Sequence, residues 1–113
     1  KEFNKKAVKV FALLFTKKII GICVVQLVAD EAQINYFSIK QKYRRKGYGS
    51  YLMKYVIKQC EKSNLNKLLL EVSEINSNAD KFYSQFNFNT VGRRKNYYRD
   101  GSDAVLKEKK LIK

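Results

Sequence analysis

The residues with the clearest chemical pattern form the stretch YRRKGYGSYL, residues 43–52. Three adjacent cations at positions 44–46 repel one another, so their clustering suggests either a bound anion or plain solvation. Gly47 and Gly49 follow them directly, and glycine allows the backbone to approach a ligand closely. The stretch is therefore compatible with a phosphate cradle or with a basic patch for nucleic acid.

Two further residue types suit proton transfer. Glu71 stands in the apolar run KLLLEVS, residues 67–73, where a carboxylate is costly unless it is paired or hydrated. A structural ion pair with a Lys or Arg explains Glu71 as well as a catalytic base does. Tyr83 lies in ADKFYSQF, residues 79–86, where aromatic residues at helical spacing usually pack in a core. Asn76 precedes it and suits a helix cap or a loop as well as a ligand contact.

The basic stretch lies between two predicted elements. Residues 33–39, QINYFSI, read as a strand, and residues 50–62 carry apolar side chains at the i, i+3, i+4, i+7 spacing of a helix. The first N–H groups of a helix lack intrahelical partners, and the helix dipole is positive at that end. This geometry predicts an anion site where Gly47 and Gly49 admit a pyrophosphate to the main chain. Charge and a hydroxyl would come from Arg45, Lys46 and Ser50.

The remaining pattern predicts one mixed domain over residues 1–113. Three strands, at 8–15, 19–28 and 33–39, form an antiparallel meander. After the helix at 50–62 we expect a strand at 67–73 and a short helix at 79–86 capped by Ser77 or Asn78. Two last strands, at 89–98 and 104–111, are joined by the hairpin turn RDGSD. The order βββ-α-β-α-ββ gives an α/β (α+β) fold with a mostly antiparallel sheet.

Composition limits the class of protein. The chain has 113 residues, of which 45% are hydrophobic, so one domain with a real core is expected. No apolar run reaches the roughly 18 residues that a membrane helix needs, and no signal peptide is visible. We therefore expect a cytoplasmic protein without a membrane partner.

The segment KLLLEVS, residues 67–73, is nearly continuous in apolar residues, which is typical of a strand covered on both faces.

The inventory of reactive residues is short. The chain has two cysteines and no histidine, which excludes His-based metal sites and His-based triads. Cys23 and Cys60 stand in apolar surroundings and are predicted to be buried thiols in a reducing compartment. The net charge of +14 attracts nucleic acid, anionic cofactors or membrane surfaces, although solvated lysine explains much of it.

Three ordered motifs resemble one family. The pattern R-x-x-G-x-G at residues 44–49 resembles the acetyl-CoA signature of the GCN5-related N-acetyltransferases, the GNAT family. Residues 70–88, LEVSEINSNADKFYSQFNF, resemble the second half of that family's core, with Asn87 where the family usually has Gly. Asn tolerates the left-handed backbone that ends a helix. Residues 93–109 resemble the Tyr-Tyr hairpin of enzymes that acetylate protein amino termini, including the ribosomal-protein-alanine acetyltransferases.

The resemblance implies acetyl-CoA as cosubstrate and no metal. The family's sheet splays between the third and fourth predicted strands, which leaves main-chain groups free to pair with pantetheine amides. The implied cofactor-binding residues are Phe37, Ser38, Ile39, Arg44, Arg45, Lys46, Gly47, Tyr48, Gly49, Ser50 and Asn76. A main-chain N–H near Ile39 is the implied oxyanion donor. Glu71, acting through water, is the implied base, and Tyr83 the acid for the leaving thiolate.

The resemblance also implies an acceptor. It points to an N-acetyltransferase acting on a primary amine, above all the α-amine of a ribosomal protein or nascent chain. Tyr97 and Tyr98 would contact this peptide, because adjacent strand residues point to opposite faces and one can line a groove. Cross-strand packing is the alternative for this pair. The ribosome is a further candidate partner, since its RNA is anionic.

One departure concerns the amino-terminal side. The family begins with a strand and two helices before the first strand predicted here, and these help to form the acceptor groove. In this sequence about seven residues stand there. We therefore expect an acetyltransferase domain that is truncated at its amino-terminal side.

Other functions remain open from the sequence. A nonenzymatic RNA-binding domain would explain the charge, with bases stacked on the aromatic residues of KNYYR, residues 95–99. Another possible function is acetyl transfer to an aminoglycoside, a polyamine or a lysine-rich protein. Such cationic acceptors call for an acidic pocket, and the chain has few acidic residues.

Overall fold

The computed structural model describes residues 7–112, which form six strands and two α-helices. The strands are β1 (Ala7–Phe15), β2 (Lys18–Val28), β3 (Glu31–Ile39), β4 (Lys67–Ser73), β5 (Asn89–Arg94) and β6 (Ala104–Lys110). The helices are α1 (Tyr48–Lys62) and α2 (Ser77–Ser84), and a 3₁₀ turn, Gln41–Tyr43, precedes α1. The predicted order of elements is confirmed.

One mixed sheet runs through the molecule in the order β1-β2-β3-β4-β6-β5. Every neighbouring pair is antiparallel except β3 and β4, which are parallel. The parallel pairing joins only Glu31–Ile34 to Lys67–Leu70, although both strands continue beyond it. The sheet therefore opens between β3 and β4, at the carboxyl ends of both strands.

Both helices pack on one face of the sheet. Met53 and Val56 of α1 are fully buried against side chains of β2, β3 and β4 in one core cluster. Along β4 only alternate residues are buried, namely Leu68, Leu70 and Val72. The residues of the other face, Lys67, Leu69, Glu71 and Ser73, are partly buried, so the predicted cover on both faces of β4 is only partial. Burial of each large apolar side chain contributes roughly 1.5–3 kcal/mol, which fixes α1 on this face, whereas α2 packs there through the partly buried Ala79, Phe82 and Tyr83.

The opposite face of β1 to β3 is open. Val8, Val10 and Leu14 of β1 and Tyr36 of β3 expose about half or more of their surface there. The expectation that about seven residues replace the family's first strand and helices falls largely on residues 1–6, outside the described residues. Within residues 7–112, neither helix has the length and hydropathy required to cross a bilayer.

Two element boundaries differ from the sequence prediction. Strand β5 ends at Arg94 and does not reach Tyr98, because Asn96 adopts a left-handed backbone with φ of 52°. The N–H groups of Tyr97 and Tyr98 both donate to the carbonyl oxygen of Ser102, at 3.1 Å each. The two tyrosines therefore lie in a loop, and the prediction that they alternate across a strand is wrong.

The cap of α2 is also different. The side-chain oxygen of Asn76 accepts a 3.1 Å hydrogen bond from the N–H of Ala79, so Asn76 is the cap and not Ser77 or Asn78. The chain leaves this helical segment through Asn87, whose φ of 65° confirms the predicted left-handed stop.

Candidate active site

The opening between β3 and β4 exposes one edge of β3. On the other edge, the N–H of Lys40 donates a 2.8 Å hydrogen bond to the carbonyl oxygen of Ile20 in β2. Because main-chain groups alternate in direction along a strand, those of Phe37 and Ile39 point away from β2, into the opening. The N–H and carbonyl groups that a ligand could pair with are therefore at the end of β3.

One side chain already uses this edge. The Nε of Arg44 donates to the carbonyl oxygen of Ile39 at 2.7 Å. The first residue of the glycine signature thus ties the basic loop to the end of β3, a role that the sequence did not predict. The rest of its guanidinium remains at the border of the groove.

The two glycines of the signature differ in backbone conformation and in their neighbours. Gly47 is the N-cap of α1 with φ of 87°, and a Cβ there would meet no described atom within 4 Å. Its conformation, and not a close neighbour, selects glycine. Gly49 lies in the first turn, where a Cβ would approach the Phe82 ring at 3.4 Å. This is an ordinary van der Waals distance, so the contact between α1 and α2 does not by itself require glycine.

The start of α1 has the properties of an anion site. The first hydrogen bond of the helix runs from the N–H of Tyr51 to the carbonyl of Gly47, at 3.0 Å. The N–H groups before Tyr51 have no intrahelical acceptor, and the dipole makes this end positive. Arg45, with φ of 62°, lies beside it at the groove border.

Helix α2 supplies the opposite wall. The Phe82 ring packs on Phe37 with centroids 5.5 Å apart and on Phe86 at 5.2 Å. Tyr83 contacts Phe82 and Phe88 edge to face, at 5.4 and 5.9 Å. Burial, with a smaller effect of the nearby Cys23, raises the pKa of Tyr83. Its phenol therefore keeps its proton at neutral pH.

These elements enclose a groove of about 460 Å³. It is lined by Phe37, Ser38, Ile39, Arg44, Arg45, Gly47, Gly49, Ser50, Asn76, Asn78, Ala79, Phe82 and Tyr83. Of the predicted cofactor-binding residues, Lys46 and Tyr48 do not line it. Lys46 is exposed beside the groove, and the ring of Tyr48 packs on Phe15 at 6.0 Å.

Three groove residues were missed by the sequence analysis, namely Asn78, Ala79 and Phe82. Asn78 and Phe82 are four residues apart on α2, as are Ala79 and Tyr83, and Ala79 and Phe82 are three apart. Spacings of three and four bring side chains to one side of a helix, so this pattern could have identified the three residues from the sequence.

The other predicted residues form a second cluster on the far face of β4. Glu71 points away from the helices, and its Oε2 accepts a 2.9 Å hydrogen bond from Nε of Arg94. The Arg94 guanidinium lies 5.6 Å from the Tyr97 ring centroid, and the Tyr97 and Tyr98 rings are 5.0 Å apart. Burial, then Glu71 and Tyr97, raise the pKa of Tyr98. The cluster unites Glu71 with both tyrosines, and the predicted ion-pair alternative for Glu71 is present.

A network of charges holds the loop that carries these tyrosines. Arg93 pairs with Glu74 at 2.8 Å and with Asp103 at 3.5 Å. Asp103 accepts from the N–H of Asn96 at 3.0 Å, and Glu74 accepts from the N–H of Asp103 at 2.8 Å. The loop is therefore fixed to the end of β4 beside Glu71.

The remaining sequence predictions concern the thiols. Cys23 and Cys60 are both free and buried, as predicted. Burial, and then the neighbouring Cys60, raise the pKa of Cys23 to about 12. Cys23 is therefore an un-ionised core residue.

Comparison with known proteins identifies the family of this chain. Residues 2–88 match the model of the acetyltransferase (GNAT) family. The [ribosomal protein bS18]-alanine N-acetyltransferase of Escherichia coli is 33% identical over 99 residues, covering 85% of this chain and 67% of that protein. A Bacillus subtilis relative is 37% identical over 87 residues, which are 76% of this chain. The chain spans 58% of the length of that relative.

Solved structures agree with the sequence match. The ribosomal-protein-S18-alanine N-acetyltransferase of E. coli superposes with a TM-score of 0.88 at 30% identity, over 94% of this chain and 70% of that one. A GNAT acetyltransferase of Elizabethkingia anophelis with acetyl-CoA bound has a TM-score of 0.87 over 92% of this chain and 76% of that one. At 20% identity it supports the fold alone. The chain therefore belongs to the GNAT family of acetyltransferases.

Proposed function

We propose that this protein transfers an acetyl group from acetyl-CoA to a primary amine, namely the α-amine of a protein amino terminus. The observation that carries the proposal is the opening between β3 and β4, where the free edge of β3 meets the glycine-capped start of α1. A cosubstrate with amides at one end and a pyrophosphate at the other suits this combination.

The fit to acetyl-CoA follows from the groove. The N–H and carbonyl groups of Phe37 are available to pantetheine amides, and the start of α1 is available to the pyrophosphate. Arg44 and Arg45 border the same end and supply positive charge. No metal is needed for phosphate binding at a site that is cationic in itself.

The chemistry requires a small number of groups. The neutral amine attacks the thioester carbonyl carbon, the carbon–sulfur bond breaks, and the thiolate takes a proton. Tyr83 is the proposed donor of that proton, because its phenol lies in the groove and stays protonated. The N–H of Ile39 is the proposed donor to the carbonyl oxygen as negative charge develops there.

The acceptor is proposed to approach from the far face of β4. Glu71, Tyr97 and Tyr98 lie together there, and Glu71 would receive the amine proton through water. An α-amine has an ordinary pKa near 8, so a weak base is sufficient. The names of the E. coli relatives make a ribosomal-protein amino terminus, in the cytoplasm, the first acceptor to test.

The test is mass spectrometry of a peptide panel incubated with acetyl-CoA. One peptide begins with alanine and has a free α-amine. The second peptide has a blocked α-amine and a free lysine side chain. We expect acetylation of the first only, and a Glu71→Gln variant should need higher pH for the same rate. Equal acetylation of the blocked peptide would indicate a lysine acetyltransferase, and acetylation of neither would contradict the proposal.

A further inference from the structure

A regular stripe of cations and aromatic rings runs along the solvent side of α1. It consists of Tyr51, Lys54, Tyr55, Lys58 and Lys62, which we call the α1 stripe. Their spacing of three, four, seven and eleven residues places all five side chains on one helix face. The lysines recur every four residues, so their Cα atoms are about 6 Å apart along the helix axis.

The charge of the protein is concentrated around this stripe. Residues 40–62 contain eight Lys or Arg residues and one acidic residue, Glu61. The carboxylates of Glu71, Glu74, Asp80, Asp103 and Glu108 are instead paired with cations of β4, β5 and β6. None of the ion pairs found within residues 7–112 involves α1 or the basic loop. The net charge of +14 is therefore distributed unevenly, with a basic surface along α1.

The aromatic members of the stripe are exposed to solvent. Tyr51 exposes 63% of its surface and Tyr55 exposes 49%. The Tyr55 ring is supported from below by an edge contact with Phe11 at 6.0 Å. Exposed rings between cations are the combination with which proteins bind single-stranded nucleic acid, because bases stack on the rings while phosphates meet the charges. An amphipathic helix for a membrane surface would instead present Leu, Phe or Trp on this face.

The segment KNYYR is a poorer surface for an anion. Arg94 beside it is engaged by Glu71, and Arg93 by Glu74 and Asp103. These carboxylates offset the charges of Arg93 and Arg94, so the cations left to contact an anion in this segment are Lys95 and Arg99, fewer than the three lysines of the α1 stripe.

We propose that the α1 stripe binds single-stranded RNA, with Lys54, Lys58 and Lys62 on phosphates and Tyr51 and Tyr55 stacked on bases. The site lies outside the residues that line the groove, so RNA binding is independent of the proposed acetyl transfer. It would hold the enzyme at an RNA-containing target while the groove remains open.

The experiment is fluorescence anisotropy of a labelled 20-nucleotide oligouridylate, titrated with the protein across a range of KCl concentrations. The stripe variant changes Lys54, Lys58 and Lys62 to Ala. Its matched control changes three exposed lysines outside α1 to Ala, namely Lys17, Lys95 and Lys110. We expect the stripe variant to bind at least 10-fold more weakly and its salt slope to fall by about 2. The control should change affinity less than 3-fold.

A second variant, Tyr51→Ala with Tyr55→Ala, keeps the net charge. We expect it to bind RNA at least 5-fold more weakly and to bind acetyl-CoA as the wild type does. Equal losses in the stripe and control variants would overturn the proposal, as would wild-type RNA affinity in the tyrosine variant. Stripe-dependent binding to phosphatidylserine vesicles without stripe-dependent RNA binding would assign the surface to a membrane instead.

Discussion

Arg44 donates a 2.7 Å hydrogen bond from Nε to the carbonyl oxygen of Ile39, at the end of the free edge of β3. The bond links the basic loop to the strand whose main chain borders the groove. The geometry of the loop therefore depends on the planar guanidinium as well as on its charge. Arg45, the next residue, borders the same groove but does not make this contact.

The first prediction separates these two arginines. Arg44→Lys keeps the charge but loses the planar N–H, so we expect acetyl-CoA affinity to fall about 10-fold, consistent with a charged hydrogen bond of roughly 1.5–3 kcal/mol. Arg45→Lys is the control and should change affinity less than 3-fold. Isothermal titration calorimetry measures both, and equal effects would show that only charge matters.

The second prediction concerns the glycines. Gly47→Ala places a side chain in a left-handed conformation and should cost roughly 1–2 kcal/mol of unfolding free energy, whereas Gly47→Asn should cost less. Gly49→Ala has room at 3.4 Å from Phe82 and should leave stability unchanged or slightly higher, because alanine favours the helix. Urea unfolding of the three variants tests this, and an unchanged stability for Gly47→Ala would contradict it.

Much of the fold was predictable because periodicity reports burial directly. The apolar spacing of residues 50–62 and the sequence of β4 were sufficient to place α1 and β4. The end of β5 was not predictable, because tyrosines favour strands while the left-handed Asn96 turns the chain. Likewise Asn76, Ser77 and Asn78 are all good caps, and only the helix geometry selects among them.

The candidate site was less predictable than the fold. Residue types and motif spacing pointed to the loop and to Tyr83, which do line one groove. The Glu71–Arg94 pair joins residues 23 positions apart and depends on the registers of β4 and β5 with β6, which no local pattern reveals. The same is true of Phe82, whose place in the groove depends on how α2 docks against α1.

The third prediction concerns the proposed acid. Tyr83→Phe removes the phenol proton but keeps the ring that contacts Phe82 and Phe88. We expect kcat to fall about 10²-fold or more while the dissociation constant of acetyl-CoA changes less than 2-fold. Steady-state kinetics and calorimetry measure the two quantities. A wild-type kcat would show that Tyr83 is a packing residue and that water supplies the proton.

The fourth prediction concerns pH. The pKa of Cys23 rises from the ordinary value of 9 to about 12 in the folded protein, so its thiol binds a proton more tightly there than in the unfolded chain. Its contribution to stability, about 4 kcal/mol at most, is complete below pH 9 and is lost as pH rises toward 12. Urea unfolding between pH 8 and pH 11 should show this decline.

A matched pair of variants isolates that thiol. Cys23→Ala should weaken the decline with pH, because the titrating group is gone. Val25→Ala removes a buried side chain from the same strand without removing a titrating group, so it should lower stability and keep the wild-type slope. Identical slopes for Cys23→Ala and wild type would rule out the Cys23 contribution.

If acetyl-CoA occupies the opening between β3 and β4, amide NMR of the ¹⁵N-labelled protein during a CoA titration will locate it there. The largest shift changes should fall on residues 37–39, 44–50 and 76–83, which border the groove. Tyr97 and Tyr98, on the far face, should change little. Absence of any change at saturating CoA, or changes centred on residues 95–99, would show that CoA does not bind in this opening.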